Sequence, residues 1–145
     1  AYPNIEVDPI ELQRERISYS VDTLTELKEK HSTLVFVLGV DSFNSLPQWH
    51  EWQKILELTH LLVLSRHGAT VSEETLSAVE IDRRRVGTKE QLLSTTAGKI
   101  VLLEGFDFDM ASSEIRKKLA RGDDVSRELD ASVVQYIKDN SLYQV

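Results

Sequence analysis

The sequence predicts an α/β fold: a mostly parallel sheet with helices on both faces. Three short runs, Leu34–Leu38, His60–Leu64 and Lys99–Leu103, are apolar almost throughout, as strands covered on both sides are. Segments with helical spacing separate them, and that alternation is the signature of strands joined by helical crossovers. The first two runs stop at Gly39-Val40-Asp41-Ser42 and at Ser65-Arg66-His67-Gly68. Open α/β sheets place their ligands at such strand ends.

Taken in order, Ile5-Glu6-Val7 alternates and reads as a strand closed by Asp8-Pro9. Glu11–Arg16 is charged and reads as a solvated connection. VDTLTELKEKH, from Val21, is an amphipathic helix with Ser20 near its N-cap. Gly39, lacking a Cβ, lets the backbone turn sharply or approach a ligand after the first buried strand. Leu46-Pro47 breaks the chain, and a short helix then opens with Gln48-Trp49-His50 and runs through Leu58. Residues 70–96 carry charge without a clean period and read as an insertion with some helix over 73–79. Their basic run, Arg83-Arg84-Arg85, reads as solvated surface rather than a phosphate clamp. Ser112 and Ser113 stand before a helical pattern that Gly122 ends. The last helix, 131–140, is expected to turn Val133, Val134, Tyr136 and Ile137 inward.

The 145 residues suit a single domain, 1–145, with a real core. Hydrophobic residues make up 41% and charged residues 28%, as in ordinary globular domains. The net charge of −7 argues against a general nucleic-acid binder, which needs a basic face. It leaves room for a nucleotide site, where a few local donors suffice. The chain has no cysteine, which removes disulfides, thiolate metal sites and cysteine nucleophiles and fits a cytoplasmic protein. No apolar stretch is long enough to span a membrane. The N-terminal AYPNIEVDPIEL has neither the basic region nor the apolar core of a signal peptide and does not read as a natural start.

No GxGxxG, GxxxxGK[ST] or GxSxG occurs, so the usual dinucleotide, P-loop and α/β-hydrolase signals are missing. No histidine pair has metal-ligand spacing, and no metal ligand is assigned. Asp41 reads as an acceptor for a ligand hydroxyl or as a plain helix cap. Trp49 reads as a stacking surface for a flat ring or as packing. His50 could donate to an anion. Ser112, Ser113 and Arg116 make the best generic phosphate site: a helix N-terminus, two hydroxyls, and an arginine one turn on. Catalysis here would consist of positioning two ligands and neutralising phosphate charge.

Together these segments resemble the bacterial nicotinate-mononucleotide adenylyltransferases. Ser18-Tyr19-Ser20-Val21-Asp22-Thr23-Leu24 is similar to their SYTxxTL stretch, and Gly39–Trp52 to GxDSLxxLPxWxxW. His60–Arg66 is similar to HLxVxxRPG, Met110–Arg116 to ISSTEIR, and Val134–Tyr143 to a closing YIxxxxLY. The resemblance implies a Rossmann-like nucleotidyltransferase fold and adenylyl transfer from ATP to nicotinate mononucleotide, with Mg²⁺ assisting. It places Trp49 on the pyridine ring. The Ser20 hydroxyl, beside Tyr19, and the His50 N–H would hold the nicotinate carboxylate. Asp41 would take a ribose hydroxyl near Gly39. Ser112, Ser113 and Arg116 would take ATP phosphates, with Arg66 a further candidate. A homo-oligomer is compatible with the sequence.

Departures accompany the likeness. Ser20 and Ser113 stand where the family has threonine, Met110-Ala111 where it has Ile-Ser, and His67 where it has proline. The family's GTFDPxHxGH stretch, whose histidines serve the ATP phosphates, does not occur in these residues. The chain is therefore expected to lack the family's first strands, and these 145 residues alone are expected not to turn over. Two rival readings stand beside the leading one. One is a nucleotide-binding protein without catalysis on the same fold. The other is an adenylyltransferase preferring nicotinamide mononucleotide.

Overall fold

The structure, a computed structural model, describes residues 3–65, 68–105 and 112–143. The chain divides into two compact units, residues 1–106 and 107–145.

The first unit is built on a three-stranded sheet. β1 (Val35–Gly39) pairs with β2 (His60–Leu64), and β2 with β3 (Ile100–Leu103), all parallel and in the order β1-β2-β3. The predicted runs are therefore strands to within one residue, and the predicted parallel sheet is present. Between and before the strands lie α1 (Ser20–Lys30), α2 (Val40–Ser45), a 3₁₀ turn (Leu46–Gln48), α3 (Trp52–Leu58), α4 (Glu73–Ala78), α5 (Ile81–Arg84) and α6 (Lys89–Leu92).

Alternation along the strands sorts the apolar side chains onto two faces. Leu38, Leu61, Val63 and Ile100 share one face and are buried together with Val21, Leu24, Phe43, Leu46 and Ile55. That is the core, and α1, α2 and α3 supply its helical side. The opposite face is less covered: Val35 is 41% exposed, Val37 51% and Leu103 40%. None of the three belongs to the core cluster.

Ile5–Val7 is not a strand. Ile5 and Val7 are exposed, and the segment turns at Asp8, whose side chain accepts from the Ile10 N–H. Three alternating residues make a strand only when a neighbour offers a ladder, and β1 offers Val7 none. Nor is Glu11–Arg16 simply solvated. Arg14, its side chain 10% exposed, donates to Thr23 Oγ1 at 2.7 Å and ion-pairs with Glu26, while Thr23 donates to Glu11. This clamp ties the N-terminal segment to α1. The basic run also splits by direction. Arg83 pairs with Glu80 at the surface, whereas Arg84 turns inward and donates to the Gly98 carbonyl at 3.1 Å. Gly98 has φ +85, and a Cβ there would sit 3.2 Å from Arg84 Nη1. Glycine answers both demands.

His60 opens an apolar run in the sequence, and its burial is complete. Both ring nitrogens are used. The Lys99 N–H reaches Nδ1 at 3.1 Å, and Nε2 lies 3.0 Å from the Thr95 carbonyl. A backbone N–H can only donate, so Nδ1 accepts and Nε2 carries the proton. The neutral ring thus clips the turn before β3 to the start of β2. Burial pushes the imidazolium pKa below its usual 6.5; the Thr95 carbonyl opposes this, and the charges of Lys28 and Lys99 add to it. Below pH 6.5 the unfolded chain takes up a proton that the folded chain resists. The contribution of His60 is therefore whole above pH 6.5 and is lost as pH falls from there through the lower folded value. We expect the urea midpoint of the wild type to drop between pH 7 and pH 5 more steeply than that of His60→Gln. The difference should be at most about 1.4 kcal/mol per pH unit. Parallel curves for the two proteins would remove His60 from the acid response.

The second unit contains α7 (Ser112–Arg121) and α8 (Ala131–Asp139). Gly122, at φ +76, ends α7 as predicted, its N–H and that of Asp123 returning to the Leu119 and Lys118 carbonyls. Lys118 ion-pairs with Glu128, and Asp130 caps α8 by accepting from the Ser132 N–H at 2.9 Å. Of the four residues expected inward on α8, Ile137 is buried and Val134 half-buried, but Val133 and Tyr136 are 43% and 63% exposed. The four residues span an arc of about 160° at 3.6 residues per turn, and the stripe that is covered runs through Ile137 and Val134 only.

Candidate functional site

The predicted pyridine-nucleotide residues all lie in the first unit, at the start of α1 and along the segment leaving β1. Gly39 ends β1 and caps α2 with an ordinary φ of −76. The expected sharp turn is therefore not what glycine provides here. It leaves space instead: a Cβ at this position would meet nothing within 4 Å. Asp41 sits in the first turn of α2 and is exposed, a favourable place for a carboxylate.

Trp49 does not open a helix, as the sequence suggested. It follows the 3₁₀ turn, and α3 starts only at Trp52. Pro47 explains the shift, since it suits the first positions of a new turn but cannot extend α2. The indole is fixed on two sides. Its N–H donates to Ser45 Oγ at 3.0 Å, and its ring stands edge-on to Phe36, centroids 6.4 Å apart at 61°. Held this way, the ring loses little further freedom when a ligand stacks on it.

His50 follows in a turn that Glu51 completes in the left-handed region, φ 47 and ψ 40. That conformation costs a residue with a Cβ about 1–2 kcal/mol, so something must hold the turn. The Tyr19 ring does part of this, lying 4.4 Å from the imidazole, centroid to centroid, at 34°. Such a pair contributes about 0.5–1.5 kcal/mol. The Glu51 carboxylate also lies 3.7 Å from His50 Nε2. Tyr19 is itself the N-cap of α1, and Ser20 is that helix's first residue rather than its cap. The contact thus joins two segments that are 31 positions apart in the chain. Among the described residues, the Ser20 hydroxyl and the His50 N–H make no hydrogen bond. One donor therefore stands free on each side of the ring contact.

Ser112, Ser113 and Arg116 lie in the first turns of α7 in the second unit, all three exposed. Arg66 lies outside the described residues, as do Met110 and Ala111. Among the described residues no group of three or more histidine, aspartate or glutamate side chains could hold a metal ion. The sequence reading missed a cavity of about 1150 Å³ at the carboxyl ends of β2 and β3. Val40, Val63 and Leu102 form its floor, α4 and α5 one wall, and Glu80, Arg83 and Arg85 part of its rim. The strand-end rule was the signal for it; the wall-forming helices had no legible period.

Residues 2–118 match the cytidylyltransferase-like family. The probable nicotinate-nucleotide adenylyltransferase of Aeromonas salmonicida is 36% identical over 144 residues, an alignment covering 98% of this chain and 67% of that protein. The chain belongs to the nicotinate-nucleotide adenylyltransferase family. Its relatives there are nucleotidyltransferase enzymes, among them the probable nicotinate-nucleotide adenylyltransferase of Legionella pneumophila, 35% identical over 99% of this chain and 69% of its own length. The fold agrees. The nicotinic acid mononucleotide adenylyltransferase of Plasmodium falciparum, solved in complexes with APC and with NaAD, superposes with a TM-score of 0.61 at 22% identity. That match covers 89% of this chain and 60% of the APC-bound one. The chain thus spans about two thirds of the length of these adenylyltransferase relatives. No helix among the described residues is long and apolar enough to cross a membrane.

Proposed function

We propose that this chain carries the pyridine-nucleotide site of an enzyme that joins ATP and nicotinate mononucleotide, giving deamido-NAD and pyrophosphate. One observation carries the reading. The two groups expected to hold the nicotinate carboxylate, the Ser20 hydroxyl and the His50 N–H, make no hydrogen bond among the described residues, and they belong to the two segments that the Tyr19–His50 contact joins. A carboxylate accepts from both at once. The fixed Trp49 indole supplies the ring surface beside them and Asp41 a ribose acceptor. Ser112, Ser113 and Arg116 are the ATP phosphate ligands in this reading.

Adenylyl transfer asks little covalent chemistry of a protein. The phosphate of the mononucleotide attacks the α-phosphorus of ATP and pyrophosphate leaves, so alignment and charge neutralisation govern the rate. Mg²⁺ in this reading travels with the ATP phosphates. No residue of the chain is assigned to it, and no step is assigned to an ion the chain holds. The 145 residues contain no HxGH phosphate site, so by themselves they are expected to bind the mononucleotide without turning it over.

The test is calorimetric titration of the chain with nicotinate mononucleotide and, separately, with nicotinamide mononucleotide. Tighter binding of the acid supports the reading. Tighter binding of the amide would move the substrate assignment to nicotinamide mononucleotide. No binding of either would remove the pyridine-nucleotide site.

A further inference from the structure

We infer that Tyr19 is a positioning residue that sets the preference for an acid over an amide pyridine nucleotide. This deepens the site just proposed and rests on that reading. Tyr19 need not touch the ligand. Its ring lies 4.4 Å from His50, and His50 stands in a turn closed by the left-handed Glu51. Without the ring contact the turn is free to relax, because a left-handed glutamate has a lower-energy alternative nearby.

The neighbouring parts of the turn are fixed by other means. Trp49 is held by Ser45 and Phe36, and the Trp49 N–H returns to the Leu46 carbonyl at 2.9 Å. The His50 N–H has no such tie among the described residues. The imidazole of His50 rests on Tyr19, and this contact is what holds the His50 backbone, with its N–H, against the start of α1. Tyr19 also stands at the N-cap position of α1, next to Ser20, its backbone carbonyl accepting from the Asp22 and Thr23 N–H groups. The Tyr19 ring thus sets how the His50 segment lies against the start of α1, where Ser20 is. A carboxylate has two acceptor oxygens and uses both donors. A carboxamide has one acceptor, and its NH₂ group would face a donor. Correct spacing therefore rewards the acid and loss of spacing penalises it, while ring stacking on Trp49 serves both ligands alike.

The experiment measures binding of nicotinate mononucleotide and nicotinamide mononucleotide to wild type, Tyr19→Ala and Tyr19→Phe, with thermal melts alongside. Tyr19→Ala should lower the acid-to-amide affinity ratio by about tenfold, and Tyr19→Phe, which keeps the ring, should restore it. An unchanged ratio in a folded Tyr19→Ala protein would overturn the inference while leaving the proposed site standing. A wild type that binds neither ligand, or both equally, would overturn both. Should Tyr19→Ala fail to fold, amide NMR of the wild type decides. The acid must shift the His50 and Ser20 resonances more than the amide does, and equal shifts would overturn the inference.

Discussion

Replacing Phe43 with alanine should remove about 3–5 kcal/mol of folding stability. Phe43 is fully buried on α2, between the sheet and the residues that lead to Trp49, and its neighbours in the core include Val40, Leu46, Ile55 and Leu61, each 4% exposed or less. An aromatic ring in such a place leaves a cavity that close-packed neighbours fill only in part. Single domains are stable by about 5–15 kcal/mol in total, so the loss would take a large share. Urea denaturation measures it as a shift in midpoint at constant slope. Phe43→Leu, which keeps most of the volume, should cost far less. A loss under 1 kcal/mol for the alanine variant would mean that α2 does not sit against the core as described. Because α2 also carries Asp41 and leads into the turn before Trp49, weakened packing there should loosen the candidate site before the whole unit unfolds.

Trp49→Ala should weaken the binding of nicotinate mononucleotide by about ten- to a hundredfold, the range expected when one ring loses its aromatic partner. The indole is held by Ser45 and by the edge of Phe36, so its stacking surface is set before the ligand arrives. Trp49→Phe keeps a ring but loses the N–H bond to Ser45 and should fall between the two. Wild-type tryptophan fluorescence should quench on titration, and this quench should vanish in Trp49→Ala, which retains Trp52. Undiminished affinity in a folded Trp49→Ala protein would take the indole out of the site and leave it a packing residue of the core.

The sheet was legible because its evidence is local. His60-Leu61-Leu62-Val63-Leu64 announces a buried strand by composition alone, and β2 occupies those residues. Gly122 likewise ends α7 for a reason contained in one residue. What could not be read depended on partners distant in the chain. Ile5–Val7 has strand-like residues but no ladder to join. Arg14 looked solvated until Thr23 and Glu26 were placed opposite it. His60 looked like one more member of an apolar run, while its two ring bonds reach residues 95 and 99. In the candidate site, the residue types at 20, 41 and 49 could be named from sequence. The Tyr19–His50 contact could not, because it joins a helix cap to a turn on another segment. The cavity beside Val40 escaped notice for the same reason: helices α4 and α5 contribute a few side chains each and show no period of their own.

The parallel register has a kinetic consequence. Val35 pairs with His60 and Leu61 with Ile100, 25 and 39 positions apart. Among the described residues the strands form no hairpin, so none of these rungs can form until a long loop has closed. Helix α1 and its Arg14 clamp need only local contacts, at most 12 positions apart, and can form first. Folding of the first unit should therefore wait on the meeting of β1 with β2, and substitutions along that seam should slow refolding more than equally destabilising ones in α1.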